Sequence, residues 1–466
     1  MPGERDTDVA MTHQHHEPKP HRTGIRRVRP LWWVLGLTGL VLTLVGVAVS
    51  PATDALVRIR AVAGDRIAAD GHRDGGRSED RGKSVEERRA KPTGTLVPCG
   101  AEALIAAITL ANARDGATLD LAEDCTYLLT VGIDGAGLPA ITAPITLNGA
   151  KSTAIERAAT ADPFRILIVD TGGDLTLNRL TITGGRTLAG IPGGGVLVNA
   201  GGRLTARHSA IVRNISGGSS GGIANLGITA VEESTVTGNT AALGGGGIFN
   251  AGRLTVSKTR FTDNSALDVG GAIGTGEDGT AEVRDSTFIR NRARAGGGIG
   301  DFRAITTIVN STFADNHASV AAGGIFAEGQ LTMRNVTVVN NGGIQQAGGV
   351  NVQNSLGESA AVIEDSKIIE NTTNGLAGGI FNVLAPTVLR NVTVAANHAA
   401  LGGGVYNLAN STVTLYNTSV EKNTAITDGG GIFNAPGGVV VLNPATGTVV
   451  TKNRPNNCVN VPDCPG

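Results

Sequence analysis

Two short motifs alternate through most of this 466-residue chain, and their spacing restricts the fold more than any other feature. Gly-Gly followed within two residues by Ile or Val occurs ten times, ending on Val196, Ile223, Ile248, Ile273, Ile299, Ile325, Val350, Ile380, Val405 and Ile432. Successive copies lie 25 to 30 residues apart. In step with them run segments such as STVTGN, STFADN and TSVEKN, which end on Asn214, Asn239, Asn264, Asn291, Asn316, Asn341, Asn371, Asn397, Asn423 and Asn453. Between the two motifs sits an alternating run, RLTVSK at 253–258 or TAEVRD at 280–285. A fixed period in this range is the mark of a solenoid. Each period holds three short β-type runs with turn residues between them and no helical pattern.

Stacking each run on its equivalent one coil away gives parallel sheets. Inward Ile and Val then form aliphatic ladders, and the terminal Asn can bond to the Asn of the next coil. This suits the composition, which has 68 glycines and only 3% aromatic residues. The Asn or Asp between the second and third runs suits a corner that needs positive φ. Segments 141–150 and 165–185 read as two earlier coils. Twelve coils at about 4.8 Å each make a rod of roughly 55–60 Å. A solenoid end needs a cap. In AEALIAAITLANA (101–113), Leu104, Ile105, Ile108 and Ala111 share one helical face, which predicts an N-terminal helical cap. The crowded leucine pattern of leucine-rich repeats is missing, and the period is too short for a propeller blade.

Residues 31–49, LWWVLGLTGLVLTLVGVAV, carry no charge and match about one bilayer span. Arg22, Arg26, Arg27 and Arg29 precede them, which places the N-terminus inside. The segment reads as an uncleaved transmembrane helix or as a cleaved signal; both imply export. The expected organisation is a cytoplasmic tail (1–30), an anchor or signal (31–50), a flexible charged stalk (51–95), an N-terminal cap (96–140), β-helix repeats (141–455) and a disulfide tail (456–466). An even cysteine count in an exported chain predicts two local disulfides, Cys99 with Cys125 and Cys458 with Cys464. A net charge of −1 argues against a nucleic-acid partner.

The paired motifs, with a literal GGAI at 270–273 and FTDN, FIRN and FADN at 261–264, 288–291 and 313–316, resemble polymorphic outer-membrane protein repeats over about residues 190–455. The resemblance implies a right-handed parallel β-helix of the pectate-lyase-like superfamily, used as a surface adhesin. The chain departs from that family in that an N-terminal apolar segment stands where outer-membrane members carry a C-terminal barrel.

No catalytic, cofactor-binding or metal-binding residue is assigned from the sequence. The row two residues after each motif's Ile reads Asn250, Thr275, Asp301, Ala327, then Asn382, Asn407 and Asn434, with Asp301 alone acidic. Asp268, Glu277, Asp278 and Arg303 lie on loops nearby. Glycoside hydrolysis needs two carboxylates at a set separation. GTGEDG (274–279) has the spacing of a dinucleotide loop but leads into a strand pattern. His208, His317 and His398 occupy different parts of the repeat. The expectation is a membrane-anchored extracellular β-helix, without a cofactor, that binds an extended glycan or a surface protein. The alternative is a polysaccharide lyase or glycoside hydrolase.

Overall fold

The computed structural model describes residues 94–465 apart from 151 and 356–358. The expected tail, membrane segment and stalk up to residue 93 lie outside the described residues. Among the described residues, no helix is long and apolar enough to cross a membrane.

The chain winds as a parallel β-solenoid, and every pairing between its strands is parallel. One coil runs through Ile248–Asn250, Arg253–Ser257, Arg260–Thr262 and Ser265–Ala266. The fourth strand was not expected: it is two to five residues of mostly small side chains, too short to show an alternation. The third strands stack into a 13-stranded sheet and the fourth strands into a 9-stranded one. First and second strands merge into one 24-stranded sheet, because Ile299–Val309 and Ile325–Arg334 run unbroken through the first bend.

The expected twelve coils are too few; the solenoid makes about 14 turns. The span 96–140 was read as cap alone because it lacks both motifs. Ala117–Leu121 and Thr126–Leu129 nevertheless alternate and pair with the next coil, and Thr95–Val97 pairs with Ala117–Leu121 ahead of them, so the sheets begin well before residue 141. The helix Ala101–Ala113 covers the end of the core with Leu104, Ile108 and Ala111 buried. The disulfide Cys99–Cys125 ties its entry to the third strand of the first coil, and Cys458–Cys464 closes the last turn. Closing a 26-residue separation restricts the unfolded chain, so Cys99→Ser with Cys125→Ser should lower the unfolding free energy by about 3 kcal/mol in denaturant melts.

The core is built of stacked columns. Ile223, Ile248, Ile273, Ile299 and Ile325 lie in register and fully buried. In the third strands Phe261, Phe288 and Phe313 stack with ring centroids 4.8 and 4.4 Å apart. All ten motif asparagines are buried. Each Nδ2 donates to the Oδ1 of the next, at 3.1 Å from Asn214 to Asn239 and 3.0 Å from Asn291 to Asn316. The same Oδ1 also accepts the backbone N–H of the preceding asparagine, as Asn316 does from Asn291 at 2.9 Å. At the ends Gly185 N–H donates to Asn214 Oδ1 at 2.9 Å and Asn453 Nδ2 donates to Asn457 Oδ1 at 3.2 Å, so every ladder amide is satisfied in the dry core, where an unpaired one would be costly.

Three corners per coil take positive φ. Between the second and third strands the corner residues include Asp285 (51°), Asn310 (50°), Asn335 (53°) and Asn391 (53°), as the sequence predicted. Ahead of the first strand the chain folds back over it. Parallel bridges link Ala321, Gln346, Leu376 and Leu401 into a second layer. That layer covers the outward side chains of the first strands, among them Phe326, Phe381 and Tyr406. The arrangement leaves the second and third strands as the open faces.

Candidate binding surface

The second strands present the broadest open face. In a five-residue strand such as Arg253–Ser257 the first, third and fifth residues point outward, while Leu254 and Val256 enter the core. The middle outward column reads Thr118, Thr146, Thr176 and Thr205 over four successive coils. Past Ala230 it continues with Thr255, is broken by Glu282, resumes with Thr307 and Thr332, and ends Val362, Val388, Thr414, Val441. A β-branched side chain thus recurs at the coil spacing of about 4.8 Å along most of the rod. The signal was in the sequence, in the central Thr of DLTLN, RLTAR, RLTVS, QLTMR and TVTLY, but the sequence reading did not single it out.

The flanking charges are mostly paired with the neighbouring coil. Arg207 Nε bonds Glu232 Oε2 at 2.9 Å, and Arg390 Nη1 bonds Glu364 Oε1 at 3.1 Å. At the corner beside them, Lys258 Nζ meets Glu233 Oε1 at 3.1 Å and His208 Nδ1 meets Oε2 at 3.3 Å. The Lys258 ammonium, by hydrogen bond and charge, holds the Glu233 carboxyl below the usual range. The face is electrically quiet, with a polar half toward the N-terminal end. Toward the C-terminal end it becomes more apolar, with Pro386 and Val388 on one coil and Val439 and Val441 two coils on, either side of Thr412 and Thr414.

The row containing Asp301 is not on this surface. In a three-residue first strand the first and third residues face the same way, so Asn250, Thr275, Asp301, Ala327 and Asn382 all point inward with Ile. Asn225 donates to Asn250 at 2.8 Å and Asn407 to Asn434 at 2.8 Å, forming a second buried ladder that Thr275, Asp301 and Ala327 interrupt. Burial pushes the Asp301 carboxyl up to about 7; the hydroxyls of Thr306 and Thr275 pull the other way. Neither hydroxyl completes a well-formed hydrogen bond to it, and Oδ1 has no partner.

The acids on the nearby loops lie apart from the buried Asp301, and two of them are ion-paired. Arg294 Nη1 bonds Asp268 Oδ1 at 3.0 Å, and Arg303 is ion-paired with Glu277. Asp278 takes positive φ in the turn of GTGEDG, which joins strand Ile273–Thr275 to strand Thr280–Arg284 and so opens no helix. His317 and His398 begin fourth strands, several coils apart, while His208 is at a corner. Among the described residues no three His, Cys, Asp or Glu side chains gather in a way that could hold a metal ion.

No protein-family model matches the chain, so membership of the polymorphic outer-membrane protein repeats is not shown, and no curated protein matches it. Among solved structures, the chain is similar to the A-module of mannuronan C-5 epimerase AlgE6 from Azotobacter vinelandii. Identity is 16%, coverage is 76% of this chain and 96% of that one, and the TM-score is 0.38. It is also similar to the A-module of AlgE4 from the same organism, at 13% identity, 78% and 96% coverage and a TM-score of 0.36.

Proposed function

We propose that this protein is an exported, membrane-anchored binder of extended ligands, glycan chains in the first place, and that the outward second-strand face receives them. The observation that carries the reading is the Thr/Val column: a β-branched side chain repeated at a fixed rise, broken at Ala230 and Glu282, on a rigid surface whose charges are mostly paired. A polymer with its own repeat can make the same weak contact on many coils, and such contacts add along the rod. The two disulfides fit the oxidising compartment that export implies.

The test is to incubate the full-length protein with a panel of polysaccharides and record both binding and newly formed reducing or unsaturated ends. Binding without new ends is expected. Thr307→Lys with Thr332→Lys should weaken it at least about tenfold, roughly 1.4 kcal/mol, by placing two cations on the column. New chain ends would assign the protein to the lyases or hydrolases instead. Binding indifferent to the two lysines would move the site to another face.

A further inference from the structure

Three arginines meet at one bend near the N-terminal end of the rod, around the ring of Phe164. The bend joins the third strand Ala154–Arg157 to the first strand Leu167–Val169. No fourth strand forms here, since the 9-stranded sheet begins at Ile215–Ser216. The Arg157 guanidinium lies 5.9 Å from the centre of the Phe164 ring, and Arg165 is the next residue in the chain after Phe164. Arg186 comes from the same bend one coil on, where its N–H donates to Phe164 O at 2.9 Å. Arg157 is buried, and its bonds go to main-chain carbonyls: Nε to Gly184 O at 2.8 Å, and Nη1 to Ala158 O and Ala161 O at 2.9 and 2.7 Å. These neutral acceptors leave its charge without a counter-charge. Arg165 is 7% exposed, and its Nε and Nη1 have no partner. Arg186 is exposed. Elsewhere on the rod arginines meet carboxylates, as Arg207 does Glu232 and Arg290 does Asp263. Among the described residues none of the three at this bend forms such a pair. Burial lowers the pKa of the Arg165 and Arg157 guanidiniums, and the charge of Arg186 lowers that of Arg157 further.

We propose that Arg157, Arg165 and Arg186 form a binding site for a doubly charged oxyanion, a phosphate or sulfate group, with Arg165 as its main donor. An arginine is almost never buried unless it is paired, because a charge held away from water without a counter-charge is costly. Three like charges around one ring raise that cost, and a bound anion removes it. Guanidinium donors match the oxygens of phosphate and sulfate in both charge and geometry. A single carboxylate would leave two of the three charges unmatched. Arg186, on the solvent side, gives the anion its way in, and Arg165 supplies nitrogens that no protein group uses. Arg157 adds charge from a position fixed by its three carbonyls. The inference is independent of the proposed ligand face, since that face lies on the second strands and this site on the bend between third and first.

The experiment uses the full-length protein and inorganic phosphate, with chloride at equal ionic strength as the reference. Phosphate should raise the melting temperature, as any ligand of the folded state does. The rise should saturate, unlike the effect of a salt that is merely excluded from the surface. Acetate should bind about tenfold more weakly or worse, having one charge to offer. Arg165→Met keeps the aliphatic stem and removes the charge. It should abolish the saturable rise, yet melt no lower than the unaltered protein in chloride, because it also removes a buried charge without a partner. Arg186→Gln, at an exposed position that folding does not depend on, should weaken phosphate binding about tenfold or more. Glucose 1-phosphate is the second probe: binding as tight as that of inorganic phosphate would place the anion on a larger ligand, and weaker binding would make it a free ion, the site standing in either case. No saturable rise in the unaltered protein, or an equal one in the Arg165→Met and Arg186→Gln variants, overturns the proposal. Absence of glycan binding with phosphate binding intact would refute only the proposed function.

Discussion

Replacing Asp301 by asparagine should make the protein more stable above pH 7, by about 4 kcal/mol, and should flatten its stability between pH 4 and 7. The sign follows from where the proton is held. Burial raises the folded-state carboxyl to about 7 from an ordinary value of 3.8. Between those values the folded chain keeps a proton that the unfolded chain has lost, so stability falls as pH rises and levels off above about 7. Roughly three units at 1.36 kcal/mol each set the size. Asparagine never charges, and it is the residue found at this place in the coils of Asn250, Asn382, Asn407 and Asn434. Its amide also finds an acceptor. Asn250 Nδ2 donates to Thr280 O of the next coil at 3.0 Å, and the residue in register with Thr280 on the coil after Asp301 is Gln330. Denaturant titrations at pH 5 and pH 8.5 decide the matter. Equal pH slopes for the two proteins would mean that Asp301 is not the group responsible.

Asp301 also shows where the sequence was legible and where it was not. Its position is conspicuous because nine other copies of the repeat define what belongs there. Its direction follows from a strand's two-residue alternation, which places it beside Ile299, inside. The Ile and Asn columns were readable because each depends on one residue type repeated at one spacing, and the corner Asn and Asp residues because positive φ selects them. The fourth strand and the layer over the first strands were not readable. They mix Ala, Gly, Ser and Thr with single larger residues such as Gln346, Leu376 and Leu401, in runs too short to show an apolar pattern. The early coils of residues 117–129 were hidden for a related reason: they pair through backbone and aliphatic alternation but carry neither motif. The Thr column was visible, yet an outward residue announces itself only once the inward ones are known.

The glycine runs allow a sharper test, because neighbouring glycines in one run have different reasons to be glycine. Gly402 takes φ 68°, and the equivalent positions three coils running are Ala322, Ala347 and Ala377 at 55°, 39° and 62°. A side chain is accommodated at those three positions; at Gly402 a Cβ would meet Tyr406 Cβ at 2.9 Å, a side chain that can shift, so Gly402→Ala should cost about 2 kcal/mol, the upper end of the penalty of a left-handed non-glycine residue. Gly403 is never replaced in its column, which reads Gly246, Gly271, Gly297, Gly323, Gly348, Gly378, Gly403 and Gly430 over eight coils. A Cβ on Gly403 would stand 2.5 Å from Gly430 O and 2.6 Å from Thr424 O, both backbone atoms of the next coil. Neither can swing aside as a side chain can. The Gly403 N–H is itself bonded to Gly429 O at 3.0 Å, so relief would require opening the ladder between coils. Gly403→Ala should therefore destabilise the protein by about 4 kcal/mol or more, a size reserved for substitutions that overpack a core with no room to relax. Because each coil contacts only its neighbours, the damage should be local. Hydrogen exchange should accelerate in the last coils, beyond residue 403, and remain slow around Asn239 and Asn264. Similar melting temperatures for the two alanine variants would contradict the close approach that the Gly-Gly motif exists to permit.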